Sequence, residues 1–284
     1  MNDIMTSPDV PPLRLNGRDL GPHAIMAVVN RTPDSFFDRG ATYGFDAALA
    51  AVDRAVAAGA DIVDIGGVKA GPGEDVGVGE ELRRVLDLVS AVRERHPRVV
   101  ISVDTWRAEV GEAVARAGAD LLNDTWGGPD PRLAEVAAAH GIGLVCSHAG
   151  GLAPRTRPHR VGYDDVVADV VAHVTAEAER AVALGVRRDA VLIDPAHDFG
   201  KNTRHSLEIT RRLGELAATG WPLLVAVSNK DFIGETLDRP VGERGVGTMA
   251  VLGVSALLGA RVFRVHDAAA ARRALDAVQA TLGA

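Results

Sequence analysis

The feature that most restricts what this chain can fold into is a regular alternation. Eight short apolar runs rich in Val, Ile and Leu fall at residues 24–30, 62–67, 99–105, 121–124, 142–148, 191–195, 222–230 and 261–267. Runs of that length with β-branched residues read as strands buried on both faces. Ala-rich stretches with charges at helical spacing follow most of them, at 45–58, 79–95, 107–117, 164–184, 202–218 and 268–282. Strand and helix alternating without a low-complexity linker predict an α/β fold, the (β/α)8 TIM barrel. A length of 284 residues suits one such barrel. We expect a single domain over 13–284, entered through a short hairpin at 13–21 that turns at Asn16-Gly17, after a flexible segment 1–12.

Charge and composition narrow the function classes. A net charge of −7 and a pI near 5.7 exclude a general nucleic-acid or anionic-membrane surface, while leaving room for a local anion pocket. The lone Cys146 rules out an internal disulfide framework. Residues 1–12 are polar and Pro-rich, unlike a signal peptide. The most apolar stretch, 245–260, is rich in Gly and Ala and shorter than the ~20 residues a bilayer requires. It reads as a packed helix, and the chain as a cytoplasmic protein with no membrane partner.

Barrels of this kind place their sites where the carboxyl ends of the strands converge. Those ends carry Asn30, Asp64, Asp104, Asn123 with Asp124, His148, Asp194, Lys230, and Arg264 with His266. Asp and Asn are also favoured at caps and turns, and Asp124 and Asp267 read that way. Asp64 precedes Gly66-Gly67, which allows a tight turn or a close approach to a ligand. Asp64, Asp104, Asn123, Asp194 and Lys230 together suit a flat heterocycle with several hydrogen-bond donors. Asn30, Arg264 and His266 make a more cationic group suited to phosphate or pyrophosphate, with or without a divalent metal. The plain alternative for Arg264 and His266 is an ion pair with neighbouring carboxylates.

The segment Asn30-Arg31-Thr32-Pro33-Asp34-Ser35-Phe36 resembles the NVTPDSF motif of dihydropteroate synthases. The similarity runs on through 59–67, 101–105, Asn123-Asp124 with Gly127-Gly128, Asp194-Pro195, Phe199-Gly200-Lys201, Ser228 with Lys230, 232–234 and 264–267. It implies a pterin-binding barrel of the folate pathway. Asp104 and Lys230 would then be catalytic. Asp64, Asn123, Asp194, Phe199, Ser228, Lys230, Arg264 and His266 would hold the substrate, a pterin pyrophosphate. Asn30 would stand at a Mg²⁺ corner, and Asp34 in a mobile first loop. In that family the pyrophosphate leaves, fixed carboxylates stabilise the pterin cation, and p-aminobenzoate attacks its exocyclic carbon. A homodimer is also implied.

The chain departs from the family pattern at defined places. GGESTRPG is here Gly66-Gly67-Val68-Lys69-Ala70-Gly71-Pro72-Gly73, so the second-loop Thr and Arg are Ala70 and Gly71. DPGxGFGK is Asp194-Pro195-Ala196-His197-Asp198-Phe199-Gly200-Lys201, which puts a carboxylate where the pterin plane is expected. The Ser-Arg-Lys-Ser run is Ser228-Asn229-Lys230-Asp231, and His-Met is His148-Ala149. Ser228, ahead of a helix start, could still take an acceptor carboxylate. The Pro154–Arg160 loop reads as a stiff solvated loop, or as a source of replacement anion contacts.

The expectation is a diverged paralogue that keeps its pterin contacts and has little or no synthase activity. The alternatives are an active dihydropteroate synthase, a non-catalytic partner or regulatory subunit, and a pterin-dependent methyltransferase. The TPDSF loop speaks against the last.

Overall fold

The computed structural model describes residues 13–15, 17–33, 40–156 and 162–282. The segment 1–12, the hairpin residue Asn16, the first-loop residue Asp34, and Arg157, His159 and Arg160 lie outside the described residues.

Strands β1 (Arg14–Leu15) and β2 (Arg18–Asp19) pair antiparallel as the expected hairpin. Eight parallel strands follow: β3 (Ala24–Asn30), β4 (Ile62–Gly66), β5 (Val100–Asp104), β6 (Leu121–Asp124), β7 (Gly143–Ser147), β8 (Val191–Asp194), β9 (Leu224–Val225) and β10 (Val262–Val265). Their order is β8-β7-β6-β5-β4-β3-β10-β9, and a parallel bridge between Ile193 and Leu223 joins the two ends. The result is the expected (β/α)8 barrel.

Helices α1 (Phe45–Ala57), α2 (Val78–Arg95), α3 (Ala108–Arg116), α4 (Arg132–His140), α5 (Val166–Leu184), α6 (Thr203–Arg211), α7 (Leu213–Ala217), α8 (Asp231–Leu237), α9 (Gly245–Leu257) and α10 (Ala268–Thr281) surround it. The stretch 202–218 is two helices rather than one, because Arg212 (φ −108°) breaks the run. The run 222–230 keeps only two strand residues. Beyond them Asn229 turns left-handed (φ 57°) and its N–H donates to Thr248 Oγ1, 3.1 Å.

Period two along each strand sorts the core. One parity (Ile25, Val63, Ile101, Leu122, Leu144, Ile193, Val225, Phe263) packs outward beneath the helices. The other parity (Met26, Ile62, Val100, Leu121, Val145, Leu192, Leu224, Val262) fills the barrel floor, where Leu13, Leu15 and Leu20 of the hairpin join it. Two residues further along that inward parity stand Asp64, Ser102, Asn123, Ser147, Asp194 and Arg264. The apolar floor therefore gives way to a polar upper layer at the mouth.

The 245–260 stretch is only half packed. Thr248, Leu252, Ser255 and Ala256 are buried, whereas Val246 is 87% exposed, Val254 45% and Leu257 42%. No helix is long and apolar enough to cross a membrane among the described residues.

Candidate functional site

Asp64, fully buried, is the hub of the mouth. Ser102 Oγ donates to its Oδ1 at 2.6 Å. Asn123 Nδ2 at 3.2 Å and Arg264 Nε at 2.7 Å donate to its Oδ2. Arg264 also donates through Nη2 to Asp104 Oδ2 at 2.9 Å, while Thr125 Oγ1 reaches Asp104 Oδ1 at 3.0 Å. Burial, opposed by the Arg264 charge, pushes the Asp104 carboxyl up to about 7. The same two carboxylates hold the Arg264 guanidinium protonated, against its own burial. Arg264 thus belongs with the carboxylates, whereas His266, expected beside it, bonds Ser228.

The second part of the mouth is built by β8, the turn after it, and the start of α8. Asp194 accepts from the Ala196 N–H at 2.7 Å, and burial raises its pKa against the pull of Lys230. Lys230 Nζ donates to the His197 carbonyl and sits 4.8 Å from the centre of the Phe199 ring, a cation–π contact. Burial lowers the Lys230 pKa, with Asp198 and Asp194 opposing. Phe199 packs edge-on against Trp126 at 5.1 Å. His266 Nδ1 lies 2.9 Å from Ser228 Oγ, which also receives the His266 N–H at 3.3 Å. Asn30 ends β3 beside Gly66, where an added Cβ would stand 3.3 Å from Asn30 Oδ1 and 3.8 Å from Asp104 Cβ. Glycine there keeps the space between those side chains open.

Three expectations change. His148 lies on the outward parity, so its ring leaves the barrel: Nε2 is 2.7 Å from Asp169 Oδ1, and His173 of α5 lies 5.3 Å away. Burial lowers its pKa to about 4. It is not a cavity residue. The Asp198 side chain is held by neighbouring donors of its own chain. Its Oδ2 accepts from the N–H groups of Asp231 (2.7 Å) and Phe232 (3.3 Å), and its Oδ1 from Ser206 Oγ (3.0 Å). Arg155, in the loop after β7, is more than solvated. It donates from Nε to Gly71 O at 3.2 Å and from Nη1 to Glu74 O. An arginine from another loop thereby braces the second loop where that loop lacks its own, although its donors at these points go to backbone carbonyls.

Asp124 and Asp267 behave as structural caps. Asp124 accepts from Trp126 N (3.1 Å) and Gly128 N (2.9 Å), and Asp267 from Ala270 N (2.9 Å). Sequence reading missed Ser102, Thr125 and Trp126. Ser102 could have been found two residues before Asp104, and Thr125 two after Asn123, because i and i+2 share a strand face. Trp126 and the brace at Arg155 carry no such local signal. The wide groove lined by Arg18, Asp61, His96 and Arg98, about 940 Å³, lies at the amino-terminal end of the barrel, remote from this mouth.

The pterin binding enzyme family model matches residues 26–266. The chain is 57% identical over 263 residues to the inactive dihydropteroate synthase 2 of Mycobacterium leprae, covering 91% of this chain and 90% of that one. It is 36% identical over 267 residues to the dihydropteroate synthase of Haemophilus influenzae, covering 94% and 96%. Among solved structures, the Xanthomonas albilineans dihydropteroate synthase with 4-aminobenzoic acid superposes with a TM-score of 0.87 at 35% identity, covering 96% of this chain and 99% of that one.

Proposed function

Since this chain belongs to the pterin binding enzyme family, we propose that it binds a pterin pyrophosphate at the barrel mouth and condenses it with p-aminobenzoate poorly or not at all. The observation that carries this reading is the contrast between two parts of one mouth. Asp64, Asp104, Asn123 and Arg264 are joined by hydrogen bonds at the mouth, and the charges of Lys230 and Arg264 act on Asp194 beside them. The second loop, in contrast, has Ala70 and Gly71 in place of a hydroxyl and a guanidinium. Losing one donor or charged clamp typically costs about a hundred- to a thousand-fold in rate, and coupled losses do not simply multiply. The relatives fit this reading, since one of them is named inactive.

In this proposal Asp104, Asn123, Asp194 and Lys230 receive the ring edge, Phe199 packs beside it, and Asp64 orients Arg264. Ser228, His266 and Asn30 face the pyrophosphate. Among the described residues no three His, Cys, Asp or Glu side chains cluster to hold an ion. A lone carboxamide such as Asn30 suits Mg²⁺ only when phosphate oxygens and waters complete the shell. The ion would thus arrive with the pyrophosphate and neutralise its charge. We further propose that 13–284 form the one binding domain and that the protein is cytoplasmic.

Isothermal calorimetry with pterin pyrophosphate, followed by single-turnover assay with radiolabelled p-aminobenzoate, tests the reading. Binding without product supports it; product at ordinary family rates overturns it; absence of binding leaves only a scaffold role. The pH dependence adds a prediction. The Asp104 carboxyl, raised to about 7, is mostly protonated at pH 6. A ring edge rich in N–H donors selects its ionised form. Binding should therefore release a proton at pH 6, and affinity should rise toward pH 7 and level off above it. Titrations in buffers of different ionisation enthalpy would read that proton directly.

We also propose a homodimer seated on α9. That helix carries no charged residue and leaves Val246, Val254 and Leu257 exposed, an apolar surface that favours a partner. Val254→Glu should give monomers in sedimentation velocity while the wild type sediments as a dimer.

A further inference from the structure

We propose that Asp198 is a specificity-determining residue, an internal carboxylate that holds the donors an aryl-carboxylate acceptor would need and so excludes that class of ligand. The inference rests on the pterin-binding reading and deepens it by naming what the mouth rejects.

Asp198 tolerates an unfavourable position. Its φ is 69°, a left-handed conformation that favours glycine, and glycine stands there in the family pattern. Burial raises its carboxyl pKa, and the neighbouring Asp231 charge adds to that. A strained backbone and a half-buried charge persist only where the surroundings over-determine them. Here three donors converge on one carboxylate: Ser206 Oγ at 3.0 Å, Asp231 N at 2.7 Å and Phe232 N at 3.3 Å. With only seven residues α8 contributes little dipole, so the attraction lies in those particular groups.

Asp198 also acts on the charge of Lys230. Asp198 is the largest favourable influence on its ammonium, ahead of Asp194, and the Lys230 amine itself donates to the His197 carbonyl. A ligand carboxylate approaching the segment 228–232 meets N–H groups already bonded and a lysine already neutralised. It also meets Asp198 as a like charge in a poorly solvated corner. The Asp231 carboxylate, an acceptor only, offers that ligand no donor, and it takes the Arg244 Nη1 hydrogen bond at 2.8 Å. A neutral aryl amine meets none of this repulsion.

The test compares Asp198→Gly, which removes both the carboxylate and the left-handed strain, with Asp198→Asn, which keeps an acceptor oxygen and tolerates the backbone. Calorimetry would be run with 4-aminobenzoate and with neutral 4-aminobenzamide, each alone and in the presence of pterin pyrophosphate. We expect at least a tenfold gain in 4-aminobenzoate affinity in Asp198→Gly, a smaller gain in Asp198→Asn, and no gain for the amide. Equal gains for both ligands, no gain for either, or wild-type affinity for 4-aminobenzoate matching Asp198→Gly would overturn the assignment. If no pterin binds the wild type, the functional reading fails instead. The carboxylate-against-amide comparison made without pterin then still decides the role of Asp198. Should the glycine variant not fold, the asparagine variant carries the comparison.

Discussion

Asp64→Ala should lower the unfolding free energy by about 3–5 kcal/mol and abolish pterin binding, the largest single effect expected in this protein. Asp64 is wholly buried and accepts from three side chains on three different strands or strand ends, Ser102, Asn123 and Arg264. Truncation leaves a guanidinium, itself 18% exposed, with Asp104 as its one remaining carboxylate partner. It also strands a hydroxyl and an amide that water cannot easily reach. The cost is therefore that of a buried guanidinium stripped of one of its two carboxylate partners together with two stranded polar groups, well above the loss of an ordinary hydrogen bond. Binding falls because Arg264 would swing fully onto Asp104, taking the carboxylate meant for the ligand. Urea denaturation gives the stability change. Replacing Arg264 as well should cost less than the sum of the two single changes, because the two side chains bond each other directly and each single change already breaks that pair. A loss below 1 kcal/mol for Asp64→Ala would mean the network is not what holds the mouth.

The fold was legible because its signal is distributed. Eight apolar runs and their spacing agree, so no single boundary error alters the barrel. Local errors fell where tertiary contacts decide the backbone. The stretch 222–230 has strand-like composition throughout, yet Thr248 and Arg244 bond the Asn229 backbone and turn the chain out of the sheet. Arg212 looked like one more helical residue, but its side chain bridges Asp165, Glu208 and Glu215 at a break.

The site was legible to the extent that strand parity was applied. Asp64, Asn123, Asp194 and Arg264 share the inward face with the barrel floor. His148 is one residue out of phase with Ser147, which is enough to send its ring to α5. Asp198 could not be placed from sequence, because a residue in a left-handed turn has no face assigned by period. The brace from Arg155 to Gly71 and Glu74 joins loops more than 80 residues apart, and nothing in the composition of either loop announces the other.

Lys201→Met should destabilise the protein by about 2–4 kcal/mol and flatten its stability profile at alkaline pH. Lys201 is 2% exposed, and its ammonium donates to His148 O (2.6 Å), Phe199 O (2.7 Å) and Ala196 O (3.3 Å). The turn it fills contains Ala196 (φ 49°), Asp198 (φ 69°) and Gly200 (φ 64°), a sequence of left-handed residues that points carbonyls inward. Methionine replaces the stem but removes the Nζ donor from the His148 and Phe199 carbonyls, while Ala196 O keeps the Phe199 N–H. Phe199 should then lose its place between Trp126 and Lys230, and pterin affinity should fall too. Burial pushes the Lys201 ammonium down to about 7, from a model-peptide value of 10.5. The folded state thus binds fewer protons than the unfolded chain between those limits, so this group makes stability rise with pH across that window. Its contribution is complete above about 10.5 and lost as pH falls through 7. Lys230 shifts in the same direction, so Lys201→Met should reduce the slope without removing it. Urea midpoints at pH 7 and pH 9.5 measure both effects. An unchanged difference between the two pH values would show that Lys201 is not the buried ammonium responsible.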